Sequence, residues 1–110
     1  MTEPQHLTAL AEANVRRLAG AEVRRELADH RLSIEDAVRD ERAGALTVDK
    51  LLRSVPGVGR AAVPSILARA RIVTAGNMAD PTRRVRMLTD RQRDALVLAV
   101  SESPTLRKAA

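Results

Sequence analysis

No Phe, Tyr, Trp or Cys occurs anywhere in the 110 residues, and that absence constrains the fold more than any residue present. A core has to be assembled from Leu, Ile, Val, Ala and Met, with no ring to fill a large gap and no disulfide or thiolate–metal site to staple a loose one. A chain of this length builds one core, or a small domain carrying an arm, and is too short for two independent cores. The same absence removes the aromatic platforms on which single strands stack, the Phe wedges of some DNA benders and the cages that hold cationic ligands. Any recognition must run through charge, backbone and aliphatic contact. A thiol-free chain suits a reducing cytoplasm. The first residues carry no basic segment leading into an apolar run, and no stretch is long and apolar enough to span a bilayer, so a cytoplasmic protein without a membrane role is expected.

Nineteen basic and fourteen acidic residues leave a net charge of +5, and seventeen of the nineteen are Arg. The charge is unevenly spread. Residues 1–52 carry eight basic and ten acidic groups, whereas residues 53–110 carry eleven basic and four acidic. A basic C-terminal half is the electrostatic footprint of a polyanion binder, and planar guanidinium forks suit phosphate.

Helical signals run the length of the chain. Residues 7–32 lack Pro, hold one Gly and are rich in Ala, Leu, Glu and Arg, which predicts one long helix with a narrow apolar stripe of Leu7, Ala11, Val15 and Leu18 that fades near Gly20. Ser33-Ile34-Glu35-Asp36 has the form of a capping box opening a helix to about Arg42, with Gly44 as its stop. Thr47 is a candidate N-cap for a short helix through Leu51 and Leu52 to Val55. After Pro56-Gly57-Val58-Gly59-Arg60 a further helix carries Ile66, Leu67 and Ala70. Residues 73–80 read as a loop, Asp80-Pro81 as the N-cap and first position of a helix through Met87, and Thr89-Asp90-Arg91-Gln92 as a capping box for a final helix ending no later than Pro104. No segment alternates like a strand. The expected fold is all-α: an N-terminal helical arm (1–32), a compact bundle of short helices (33–103) and a short tail (104–110).

The segment that carries chemistry is the Pro56–Arg60 turn. Two glycines around one aliphatic residue let the backbone take unusual dihedrals and approach another surface without a Cβ in the way. Val58 anchors the turn, the following helix presents unpaired N–H groups and the positive end of its dipole, and Arg60 adds charge. Together these form a phosphate cradle, the physics of the helix-hairpin-helix and helix-two-turns-helix motifs. Against it stands the plainer use of Gly-x-Gly as a tight interhelical turn. Arg83, Arg84 and Arg86, followed by Arg91 and Arg93, supply a second set of phosphate contacts. The plainer reading there is a solvated basic face partly neutralised by Asp80, Asp90 and Asp94.

With these blocks in view the chain resembles the actinobacterial, mycobacterial-type integration host factor family. The resemblance covers roughly residues 7–100: the Ala- and Arg-rich first helix, the Val48–Val55 lead-in, Pro56–Arg60, and above all Pro81-Thr82-Arg83-Arg84-Val85-Arg86 followed by Asp90-Arg91-Gln92-Arg93. It implies a long helix on a helix-two-turns-helix core and binding of double-stranded DNA with little sequence preference. It further implies bending or bridging in nucleoid compaction, and assistance to a phage or element integrase. By the same resemblance Gly57, Val58, Gly59 and Arg60 hold phosphates, and Arg83, Arg84 and Arg86 are the main charged contacts. Val63 and Pro64 depart from the family pattern. Because Pro64 has no N–H to bond back to Arg60, a displaced cradle is expected unless the helix begins late. The 73–80 loop is also longer than the family's, and Lys is scarcer.

No catalytic group, metal or cofactor is expected. His6 and His30 are read as surface residues. Glu35-Asp36 and Asp40-Glu41 are neighbours on a helix that do not face one point, and no lysine follows the glycine turn as base-excision chemistry would need. A monomer is expected. Two rival readings are an S13-like RNA-binding protein, against which the chain lacks a long basic tail, and a protein-interaction adaptor working through the acidic 1–52 half.

Overall fold

The computed structural model describes residues 3–102, with side chains from residue 7 onward. Five α-helices and three short 3₁₀ turns follow one another, and no strand is present among the described residues beyond two isolated bridges, Thr47 with Arg84 and Val73 with Ala79. The fold is all-α, as the sequence predicts.

Helix α1 (Glu3–Ala28) stops short of the expected Leu32. His30 sits in the left-handed region at φ 60°. Arg31 N–H donates to the Glu26 carbonyl at 2.8 Å, and His30 N–H to that of Leu27 at 3.2 Å. This is the paired closure usually built around glycine. A non-glycine residue there costs about 1–2 kcal/mol, offset because the reversal lets Leu32 and Ile34 pack against the core. Gly20 is where α1 meets that core: a Cβ there would lie 2.9 Å from Leu46 Cδ2. Val23 and Leu27 are fully or almost fully buried. A division at residue 32 therefore cuts across packing, since the second half of α1 belongs to the core and the first half stands clear of it.

Helix α2 (Ile34–Ala37) has the predicted start, with Asp36 N–H donating to Ser33 Oγ at 3.1 Å, but runs only four residues. The expected continuation to Arg42 is broken by Asp40, which leaves the helix to cap a 3₁₀ turn (Glu41–Ala43), its carboxylate accepting from Arg42 N–H at 2.9 Å. Gly44 does not act as a left-handed stop; its φ is −55°. Helix α3 (Val48–Arg53) begins on Thr47 as predicted, with Lys50 N–H donating to Thr47 Oγ1 at 3.3 Å.

The Pro56–Arg60 turn leads into a 3₁₀ turn (Arg60–Ala62) and then α4 (Val63–Arg69). The helix does begin late. Pro64 falls in its first turn, where no N–H is needed, and breaks nothing. The 73–80 segment is a loop closed by Thr74 N–H donating to the Met78 carbonyl at 2.7 Å.

The helix expected over residues 80–87 does not form. Only Val85–Met87 make a 3₁₀ turn, because the preceding backbone is taken up by the 44–49 segment. Val48 N–H donates to the Arg83 carbonyl at 2.8 Å, Val85 N–H to that of Leu46 at 3.0 Å, and Arg86 N–H to that of Gly44 at 3.2 Å. Helix α5 (Asp90–Ser101) opens on the predicted capping box between Thr89 and Gln92. Pro104 and the 104–110 tail lie outside the described residues. The core drawn from these elements, with Leu51, Leu52, Leu67, Ile72 and Leu96 at its centre, is wholly aliphatic.

Candidate nucleic-acid interface

The two glycines of the turn have different reasons to be there. Gly57 has φ 89°, a conformation that L side chains rarely adopt, and so the turn itself demands it. Gly59 has an ordinary φ of −83°, and a Cβ on it would meet nothing within 4 Å. Neither dihedral nor packing requires glycine at 59, so the plain tight turn accounts for one glycine and leaves the other unexplained. Between them Val58, 7% exposed, plugs into the core, and its N–H donates to the Val55 carbonyl. Among the described residues no acceptor faces the backbone N–H groups of Gly59, Arg60 and Ala61, and the exposed Arg60 side chain has no partner.

The five C-terminal arginines divide in two. Arg83 turns inward, its Nε 3.1 Å from Asp80 Oδ2 and its Nη2 donating to the Val73 carbonyl at 2.9 Å. The Thr82 hydroxyl and then Arg83 hold the Asp80 carboxyl below the usual range. Arg93 is also tied into the fold, donating to the Val38 carbonyl at 3.0 Å and the Val85 carbonyl at 3.3 Å while its Nη1 lies 3.4 Å from Asp90. Arg84, Arg86 and Arg91 are exposed. Arg84 donates to the Ala45 carbonyl at 2.6 Å, and the side chains of Arg86 and Arg91 have no partner among the described residues. Because Pro81 and Thr82 form a turn and Arg84 is extended, the helical spacing that would put Arg83 and Arg86 on one face does not apply.

A further cationic surface comes from residues whose cooperation is not apparent when charge is counted along the chain. A groove of about 600 Å³ runs between α1 and the core, lined by Arg16, Arg17 and Arg24 from α1 and by Lys50, Arg84 and Arg86 from the core. Ala13, Ala21, Ala45 and Leu46 form the rest of its wall, and no acidic residue lines it. The signal was available in the helical phase: Ala13, Arg17, Ala21 and Arg24 recur at i, i+4, i+8 and i+11, one face of a helix without a carboxylate. Arg24 Nε donates to Ser54 Oγ at 2.9 Å, and that hydroxyl donates to the Lys50 carbonyl at 2.8 Å. The groove is thereby fastened to α3 a few residues before Gly57.

Three carboxylates of the N-terminal half, those of Glu22, Glu26 and Asp40, are engaged elsewhere. Arg42 lies 2.5 Å from Glu26 Oε2, 2.8 Å from Asp40 Oδ2 and 3.6 Å from Glu22 Oε2. Its hydrogen bonds hold the carboxyls of both Glu26 and Asp40 below their usual range, and theirs raise the guanidinium in turn. This cluster pins α1 to the 40–43 turn. A second groove beside it, of about 570 Å³, is lined by residues of both signs, including Arg39, Asp40, Glu41 and Arg93, and has no single-sign field. Among the described residues no three of His, Cys, Asp and Glu come together as metal ligands would. His30 serves as the turn residue after α1, and the side chain of His6 lies outside the described residues.

Residues 27–99 match the S13-like H2TH domain. The chain is similar to a protein of Mycolicibacterium smegmatis named integration host factor, 34% identical over 107 residues that span 94% of this chain and 95% of that one. It is also similar to the integration host factor of Mycobacterium tuberculosis, 35% identical over 101 residues, 88% of this chain and 90% of that one. No solved structure matches the chain significantly.

Proposed function

This chain belongs to the mycobacterial integration host factor family, built on an S13-like H2TH domain, and from that premise we propose that it is a non-enzymatic architectural protein of the nucleoid that binds the backbone of double-stranded DNA. The observation that carries the proposal is the groove with six cationic side chains and no carboxylate, leading by way of Ser54 to the glycine turn. A single-sign groove with low-dielectric walls focuses potential on a polyanion. The open backbone at Gly59, with the unbonded amides of Gly59, Arg60 and Ala61 beside the Arg60 side chain, supplies a neutral hydrogen-bonding grip on a phosphate. Val58 holds that turn in place from behind. Arg84, Arg86 and Arg91 make direct contacts, while Arg83 and Arg93 position the segments that carry them.

Phosphates fix register and carry no sequence information, so discrimination among duplexes is slight. A grip spread over α1, the 84–86 segment and the glycine turn rewards DNA that curves to meet all three, and so favours easily deformed sequences. That preference for bent DNA suits compaction and the assembly of an integrase complex. Competition among duplex, structured RNA and single strands, repeated over a salt series, tests the proposal. Duplex should win regardless of sequence, and log affinity should fall against log salt with a slope of about −5 if all six groove cations meet phosphates, at ~0.9 per contact. If structured RNA displaces the duplex, the S13-like RNA-binding reading replaces this one.

A further inference from the structure

The arginines of this protein are held in two ways, and the groove between α1 and the core takes only one of them. Seven of the described arginines lie within ion-pair reach of a carboxylate: Arg31, Arg39, Arg42, Arg53 and Arg69, together with Arg83 and Arg93. None of the seven lines the groove. Three others are bonded to a neutral oxygen and to no carboxylate: Arg17 to Asn14 Oδ1, Arg24 to Ser54 Oγ and Arg84 to the Ala45 carbonyl. All three line it. A neutral acceptor fixes where a guanidinium lies and leaves its charge whole, whereas a carboxylate has to be displaced or shared before a phosphate can bind there.

Of the three acceptors, one is a main-chain carbonyl and one, Asn14, sits a turn away on the same helix as its arginine. Ser54 is the side chain that reaches across the fold, 30 residues from Arg24 in sequence. Its hydroxyl has a single hydrogen, and that hydrogen is given to the Lys50 carbonyl at 2.8 Å. What meets Arg24 Nε at 2.9 Å is therefore a lone pair. With its hydrogen spent, Ser54 has nothing to donate to a phosphate, and it forms no part of the groove wall. It can act on DNA only through Arg24. Arg24 in turn commits Nε alone and keeps both Nη groups, a pair that can take two oxygens of one phosphate. Fixing a long, flexible side chain before the ligand arrives removes an ordering cost from the binding step.

Resting on the reading of this groove as the duplex surface, we propose that Ser54 is a positioning residue for phosphate binding: its Oγ holds the Arg24 guanidinium in place across the fold, with its charge uncompensated and its two Nη groups left for the DNA backbone.

Duplex titrations over a salt series test the role, because positioning and charge leave different marks. Ser54→Ala keeps every charge of the groove and should weaken binding by about two- to tenfold, with the slope of log affinity against log salt unchanged. Arg24→Ala should lower the affinity and reduce that slope by about 0.9. Ser54→Asp sets a carboxylate beside Arg24 and should reduce the slope by about the same amount. Ser54→Thr keeps the hydroxyl and should restore what Ser54→Ala loses. In an Arg24→Ala background Ser54→Ala should cost nothing further, a coupling that a merely structural serine would not show. Ser101 supplies a matched control: its hydroxyl makes the same bond four residues back, to the Val97 carbonyl at 3.0 Å, and no arginine rests on it. Ser101→Ala should leave duplex affinity unchanged. If Ser54→Ala weakens binding equally with and without Arg24, or leaves it untouched while Arg24→Ala weakens it, the groove still meets DNA and the positioning role is overturned. If Arg24→Ala changes neither affinity nor slope, Arg24 meets no phosphate and the role given to Ser54 falls with it; loss of the slope change from the other groove cations as well would remove the groove from the duplex surface.

Discussion

Gly57 and Gly59 are one residue apart and ask opposite things of the chain. At Gly57 the backbone already occupies a region that penalises a side chain, so Gly57→Ala should destabilise the fold by about 1–2 kcal/mol in urea or thermal unfolding. At Gly59 nothing in the fold objects to a methyl group. Gly59→Ala should leave stability within about 0.5 kcal/mol yet weaken duplex binding, because the methyl group stands where a phosphate must approach. Equal and unaffected DNA affinity for Gly59→Ala would remove the turn from the contact surface. A similar divergence separates Arg83 from Arg86. The short sequence Arg-Arg-x-Arg announces phosphate contact, yet only the surroundings reveal that Arg83 is turned onto Asp80 and the Val73 carbonyl. No rule of spacing carries that information, since Val73 is brought to Arg83 by the closing of a loop.

Among the elements, what local chemistry decides was legible and what distant partners decide was not. Ser33, Thr47 and Thr89 start helices because their hydroxyls accept from N–H groups three residues on, a relation written entirely within each segment. The 81–84 stretch carries an equally good helix signal and does not become a helix: Pro81 and Thr82 make a turn and Arg84 is extended, because the hydrogen-bond partners of this stretch lie on the 44–49 segment. Helix α2 fails to reach Arg42 for a related reason: Asp40 finds Arg42, and Arg42 finds Glu26 across the fold. That cluster has a pH signature. The Glu26 and Asp40 carboxyls are held below their ordinary values of 4.5 and 3.8, so the stabilisation is complete above those values and is lost as pH falls through the depressed ones. Unfolding by urea should become easier from about pH 4.5 downward. Arg42→Ala should lower stability at neutral pH and flatten that acid dependence. A variant whose acid profile matches the original would show that the cluster does not pin α1.

For the whole molecule, the division into an acidic half and a basic half dissolves once α1 is wrapped onto the core. Its Arg16, Arg17 and Arg24 join Arg84 and Arg86 on one wall, while its Glu22 and Glu26 meet Arg42 on another. Linear charge counting located half of the proposed DNA surface and credited the rest to an acidic arm, because a helix displays several faces that a sum merges. It follows that Arg16→Ala with Arg17→Ala should cost duplex binding as Arg84→Ala with Arg86→Ala does, each pair reducing the salt slope by about 1.8 units at ~0.9 per phosphate. A slope unchanged by the α1 pair would confine the interface to the core.

The aliphatic interior has a consequence for a protein that would spend its life against the chromosome. Oxidants attack thiols, thioethers and electron-rich rings, and the buried cluster contains none of these. Met78 and Met87, at 70% and 64% exposure, are the thioethers among the described residues, and neither lines the basic groove. Their sulfoxides would sit in water without disturbing packing. Peroxide treatment sufficient to convert both should leave helical circular dichroism and duplex affinity as they were. The residues that set its stability then offer peroxide no sulfur or aromatic ring to attack.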